Sequence, residues 1–120
     1  DIDWMGMVAN PLPFVRDADA LVLSTFYEGL PTVLIEALYV GTTPVATDAP
    51  GGIREILEDG RYGYIVPMQD APALSEGMLK ALHQPMPKRV LQERAESFSE
   101  KQAVEAYLDL LGMIGVARDA

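Results

Sequence analysis

Apolar residues fall in short runs along this chain, and the runs alternate between two kinds of pattern. "DIDWMGMV" predicts a short strand from Ile2 to Met5 that stops at Gly6. "ANPLPFVRDAD" follows with Asn10 as a candidate N-cap, Pro11 at the first helical position and apolar Leu12, Phe14 and Val15, which predicts a short helix. The continuous apolar run from Ala20 to Leu23 has the character of a strand buried on both faces, as in a parallel sheet covered by helices. A loop from Thr25 to Leu30 then leads into a predicted helix from about Pro31 to Val40, with Gly41 as its C-cap.

The same alternation continues downstream. "TPVAT" predicts a third strand, "DAPGG" a turn from Asp48 to Gly52, Ile53 to Glu58 a brief helix, and "GYIVP" a fourth strand. Asp70 is placed to cap a helix through about Leu82, Pro85 and Pro87 break the pattern, and Lys88 to Ala95 reads as helical. Ser99 and Gln102 have capping-box spacing ahead of "AVEAYLDLLGMI", where Val104, Tyr107, Leu108 and Leu111 share one face. Strands alternating with helices predict an α/β fold with a parallel sheet and flanking helices. There is no internal repeat and no dividing linker, so residues 1–82 are expected to form one α/β core and 88–116 a set of C-terminal helices.

Composition narrows the function classes. The 120 residues suit one domain of modest size, and 49% hydrophobic with 22% charged residues is ordinary for a globular chain. No window is apolar enough to span a bilayer. The chain has no Cys, which excludes disulfides and thiolate metal sites, and its single histidine, His83, reads as a surface residue near a helix end. Thiolate and histidine metal sites are therefore not expected. The net charge of −9 repels phosphate backbones and anionic lipid, so neither nucleic acid nor a membrane surface is an expected partner of this chain. The first residue is Asp1, which suggests a start inside a longer protein; no signal peptide is visible, and the cytoplasm is the expected location.

The stretch "STFYEGLPTVLIEAL" carries the candidate chemistry. In open α/β sheets ligands bind outside the carboxyl ends of strands, where loops enter helix N-termini. Glu28 sits in such a loop, and the Gly29 to Thr32 turn offers a helix N-terminus as a cradle for diphosphate. Gly29 lets a ligand come close. Helical side chains lean toward the N-terminus, so Glu36 can aim at the same mouth. Two carboxylates repel phosphate, so they must hold something else, and paired hydroxyls are the natural choice. A diphosphate flanked by two sets of vicinal hydroxyls is a nucleotide-diphosphate sugar. Taken alone, two glutamates at this spacing are far more often the mark of a solvated helix surface.

The run "ADALVLSTFYEGLPTVLIEALYVGTTPVATDAPGGIREIL…GRYGYIVP" resembles the C-terminal domain of the retaining GT-B glycosyltransferases of family four (group 1), over roughly Gly6 to Leu82. The hallmark of the resemblance is a glutamate, seven residues and a second glutamate, here Glu28 and Glu36. The resemblance implies that Glu28 holds hydroxyls of the donor sugar as the catalytic glutamate and that Glu36 holds the ribose. It further implies that the amides of Gly29, Leu30 and Thr32 meet the sugar and diphosphate, and that Gly6 and Met7 lie near the base. No metal and no cofactor are expected on this resemblance. Glu55 also matches a glutamate of the family pattern, although a place near a short helix's N-terminus serves it structurally. Asp48, Gly51 and Gly52 would flank the pocket and Arg54 would reach a phosphate, readings that turn conformation for the glycines and a solvated surface for the arginine outweigh.

Family members also carry an acceptor domain and a basic pair that neutralises the diphosphate, and neither is found in these 120 residues. The implied identity is a partial donor-binding domain, inactive alone, from a parent peripheral at the membrane as one option. If the sheet follows the 3-2-1-4-5-6 order, Ile2 to Met5 is its fourth strand, and its open edge is expected to drive self-association or pairing with the missing N-terminal portion. A non-catalytic α/β interaction module, a subunit completing a partner chain and a sugar-nucleotide epimerase are the alternatives. Donor sugar, base, acceptor and linkage stay open.

Overall fold

The computed structural model describes residues 1–113. Three strands, β1 (Leu21–Leu23), β2 (Pro44–Thr47) and β3 (Tyr64–Val66), form a parallel sheet in the order β1-β2-β3. Leu21 pairs with Pro44, and Val45 with Tyr64. Six α-helices accompany them: α1 (Leu12–Asp17), α2 (Thr32–Val40), α3 (Ile53–Leu57), α4 (Ala71–His83), α5 (Lys88–Glu96) and α6 (Glu100–Met113). A single 3-10 turn, Glu58–Gly60, follows α3. The α/β class and the parallel sheet are as the alternation of patterns requires.

Side chains of a strand alternate between faces, and β2 shows what each face meets. Ala46 belongs to the cluster formed by Leu34 and Leu38 of α2, Ile53, Ile56 and Leu57 of α3, and Leu91 and Ala95 of α5. Val45 points the other way, toward Gly77 of α4, where an added Cβ would stand 3.1 Å from it. The sheet is thus covered on both sides. All four residues of β2 are buried. The six leucines and isoleucines of the first cluster are fully buried, each stabilising the fold by roughly 1.5–3 kcal/mol. Buried threonines tie in the periphery: Thr42 donates to the Val15 carbonyl at 2.6 Å, and the Met86 amide donates to Thr43 at 2.9 Å.

Local signals set the helix ends. Gly41 closes α2 in the left-handed region, φ 79°, where its N–H bonds the carbonyls of Ala37 and Leu38. Asp70 caps α4 by accepting from Ala73 at 2.9 Å, and Ser99 accepts from Gln102 at 3.3 Å at the start of α6. Asn10 acts one position earlier than a cap: Pro11 takes that place, and the Asn10 side chain accepts from Leu12 at 3.2 Å. His83 ends α4 on the surface.

Several expectations are corrected. Ile2 to Met5 forms no strand; a ladder needs a neighbour, and none of the described residues supplies one. Trp4 is 91% exposed there. The strand β1 begins at Leu21 rather than Ala20 and is not buried on both faces, because it is an edge of the sheet and Val22 remains exposed. The helix α2 begins at Thr32, with Pro31 as its cap in an extended conformation, and α3 stops at Leu57, where Glu58 turns left-handed. The shared face of α6 meets no core, and none of its residues is buried. The expected helical segment continues to 116; positions 114–116 lie outside the described residues.

Candidate functional site

Glu28 lies where the sheet's carboxyl end meets the start of α2, in the loop that leaves β1. Three hydrogen bonds fix this loop. Thr47, the last residue of β2, donates its hydroxyl to the Thr25 carbonyl at 2.6 Å. The Glu28 amide donates to the Pro50 carbonyl at 3.0 Å, and the Gly52 amide donates to the Gly29 carbonyl at 2.7 Å. Thr25 adds a local turn, its hydroxyl donating to the Tyr27 carbonyl at 3.0 Å. The β1–α2 loop is therefore bonded along its length to the β2–α3 turn, and Glu28 is half-buried on it.

The surroundings of the loop suit a ligand. Space above Gly29 is open, with no heavy atom within 4 Å of where a Cβ would stand. Phe26, Tyr27 and Leu30 are exposed around Glu28. The N-terminus of α2 has no capping side chain, which leaves the positive end of the helix dipole to solvent or ligand. Thr32 begins that helix and is exposed. Beside the loop, a cavity of ≈ 280 Å³ at the strand ends is lined by Ser24, Thr25, Thr47, Gln69 and Asp70 among others.

Glu36 is on the second turn of α2 and half-buried. It borders a mainly apolar hollow of ≈ 250 Å³ with Leu12 of α1, Ile35 and Tyr39 of α2, and Phe98 and Ser99 after α5. Of the two positions expected near a base, Gly6 takes a left-handed φ of 63° and Met7 is fully exposed, both in the irregular N-terminal segment.

Arg54 is neither free nor solvated in isolation. Its guanidinium makes a two-point bond to Asp48, 2.8 Å from each carboxylate oxygen, and a third bond to Asp59 at 3.0 Å. Hydrogen bonding and charge from Arg54 hold the Asp48 carboxyl below the usual carboxylate range, and Asp48 with Asp59 raises the arginine. These side chains brace the β2–α3–β3 corner, and Glu55 is exposed beside them.

Two features escaped sequence reasoning. Thr47 as the fastener of the Glu28 loop had a faint signal: a hydroxyl at the end of an otherwise apolar strand. Arg94 had none. It donates to the Ile56 carbonyl at 3.0 Å and the Glu55 carbonyl at 2.6 Å, pairs with Glu58 at 3.1 Å, and lies over the rings of Tyr62 and Phe98.

A parallel sheet covered on both faces, with its polar loops gathered at the carboxyl ends of the strands, defines a Rossmann-like α/β unit. Residues 1–102 match the family model of the glycosyl transferases group 1, and the chain belongs to that family. It is 28% identical over 117 residues to the GalNAc-alpha-(1->4)-GalNAc-alpha-(1->3)-diNAcBac-PP-undecaprenol alpha-1,4-N-acetyl-D-galactosaminyltransferase of Campylobacter jejuni, covering 94% of this chain and 33% of that protein. It is 31% identical over 119 residues to the lipopolysaccharide core biosynthesis glycosyltransferase LpsE of Rhizobium meliloti, covering 92% and 34%. Among solved structures, sucrose-phosphate synthase from Thermosynechococcus elongatus, a GT-B enzyme, superposes with a TM-score of 0.67 at 28% identity, over 83% of this chain and 26% of that one. The chain spans about a third of the length of the curated relatives it matches. No helix among the described residues is long and apolar enough to cross a membrane.

Proposed function

We propose that this chain is the donor-binding part of a retaining glycosyltransferase that uses a nucleotide-diphosphate sugar and needs no metal. The observation that carries the proposal is the Glu28 loop: fastened by backbone bonds at the carboxyl end of the sheet, open above Gly29, and leading into an uncapped helix N-terminus. Glu28 accepts hydrogen bonds from hydroxyls of the donor sugar, and Glu36 from the ribose. The amides of Gly29, Leu30 and Thr32 take the sugar and diphosphate, and Gly6 and Met7 adjoin the base. Helix dipole and amides stabilise the charge that develops on the diphosphate as its bond to the sugar's anomeric carbon breaks. The acceptor's hydroxyl oxygen forms the new bond to the anomeric carbon, and its proton passes to the departing diphosphate. Acceptor binding falls to a part of the full-length protein beyond this domain, which by itself transfers no sugar.

Calorimetry on the full-length protein tests the division of labour. Glu36→Ala weakens binding of the nucleoside diphosphate by ~1–3 kcal/mol, the scale of hydrogen bonds to a charged group. Glu28→Ala slows transfer and leaves nucleotide affinity near wild type. The reverse pattern would exchange the two roles, and two silent substitutions would remove the reading altogether.

A further inference from the structure

The turn that receives the Glu28 loop is built around Gly51. This residue sits at φ +118°, and a Cβ placed on it would overlap the Glu28 carbonyl oxygen and come within 3.1 Å of the Gly29 carbonyl oxygen. Its neighbour Gly52 is nearly as crowded, a Cβ there reaching 2.9 Å from the Gly29 oxygen and 3.2 Å from Leu30. On either side of this contact run the Glu28-to-Pro50 and Gly52-to-Gly29 backbone bonds. Both obstructing atoms of the loop are backbone, which cannot swing aside as a side chain would. A side chain at Gly51 must therefore displace the peptide that carries Glu28.

We propose that Gly51 is a positioning residue for the Glu28 carboxylate: its missing side chain lets the β2–α3 turn hold the peptide between Glu28 and Gly29 in the one place from which Glu28 reaches the donor. The proposal rests on the reading of Glu28 given above. Turn conformation alone would ask for a glycine at this φ. The close approach to Glu28 is a separate demand, and Gly60 separates the two, because it has a similar φ of +102° with no heavy atom within 4 Å of a Cβ.

The test uses the full-length enzyme and four variants: Glu28→Gln, Gly51→Ala, their combination, and Gly60→Ala. Gly51→Ala should lower kcat by roughly 10- to 100-fold, the effect of a displacement of about 1 Å in a catalytic group. Its affinity for nucleoside diphosphate should fall by a smaller factor than kcat, because Glu36 lies on another element and only the Gly29 amide shares the displaced peptide. Gly60→Ala should keep wild-type kcat although it carries the same backbone strain. The combined variant should be no slower than Glu28→Gln alone, as expected for residues that act as one unit. Wild-type turnover by Glu28→Gln overturns the reading of Glu28 and the inference with it. A crippled Glu28→Gln beside a folded, fully active Gly51→Ala overturns the inference alone, as does additivity in the combined variant. Should Gly51→Ala fail to fold, hydrogen exchange on the wild-type enzyme decides: slow exchange at the Glu28 and Gly52 amides supports the proposal, and exchange at the rate of an open loop overturns it.

Discussion

Two arginines tie the short helix α3 to its surroundings, one from within it and one from α5, and they do so by different physics. Arg54 spends its donors on the carboxylates of Asp48 and Asp59, with more than half of its side chain in water at 54% exposure. Arg94 has a side chain only 15% exposed and donates mainly to backbone, the Ile56 and Glu55 carbonyls at the end of α3, while lying over the rings of Tyr62 and Phe98. Exposed ion pairs contribute little because water and salt screen them. A largely buried guanidinium bonded to helix-end carbonyls is screened far less, and removing it takes away hydrogen bonds that water reaches poorly. The lesson is that the better measure of an arginine's worth here is how far its bonds are shielded from water.

The comparison breaks most readily at Arg94. Arg94→Met keeps the apolar stem over the two rings but deserts the carbonyls, and urea denaturation should show a loss of about 2–3 kcal/mol, the scale of hydrogen bonds to a charged group. A loss too small to measure would make the two arginines equivalent. The pH dependence gives a smaller effect. Asp48 has its folded pKa depressed, so its contribution is complete above the ordinary carboxylate value and is lost as pH falls through the lower, folded value. Thermal midpoints of Asp48→Asn should accordingly fall less steeply on acidification below about pH 4 than those of the wild type. An unchanged acid slope would show the clamp to be idle. The smallest effect is at neutral pH, where raising salt to about 1 M should nearly erase any difference between wild type and Arg54→Gln while leaving the Arg94→Met deficit in place.

The contrast also marks what could be read in the sequence. Element order, the parallel sheet and most helix ends follow from residues acting within a few positions of themselves: the apolar "PVAT", Gly41 after α2, Asp70 before α4. Misreadings arise where an outcome depends on a distant neighbour. Ile2 to Met5 has strand composition but no partner to pair with, and Val22 is exposed because strand order makes β1 an edge. The same holds for the site. The loop bearing Glu28 and the helix bearing Glu36 were visible in one stretch, whereas the dependence of that loop on Thr47, Pro50 and Gly51 arises from contacts about twenty residues away in sequence. Arg54, read as a solvated charge, and Arg94, not read at all, owe their roles to partners that only folding brings near.

The parallel register has a further consequence for how the chain reaches this structure. No two paired strands are joined by a tight turn; Leu21 meets Pro44 only after α2 has been traversed, and Val45 meets Tyr64 only after α3 and the 3-10 turn. Every rung of the sheet thus closes a loop before any ladder hydrogen bond is gained. Helices, whose bonds are local, can flicker into existence within a microsecond or so, while the sheet must wait for crossovers to dock. The expected slow event in folding is therefore the docking of these crossovers on the sheet, and substitutions in the buried strand β2 should retard folding more than those on the exposed helix α6.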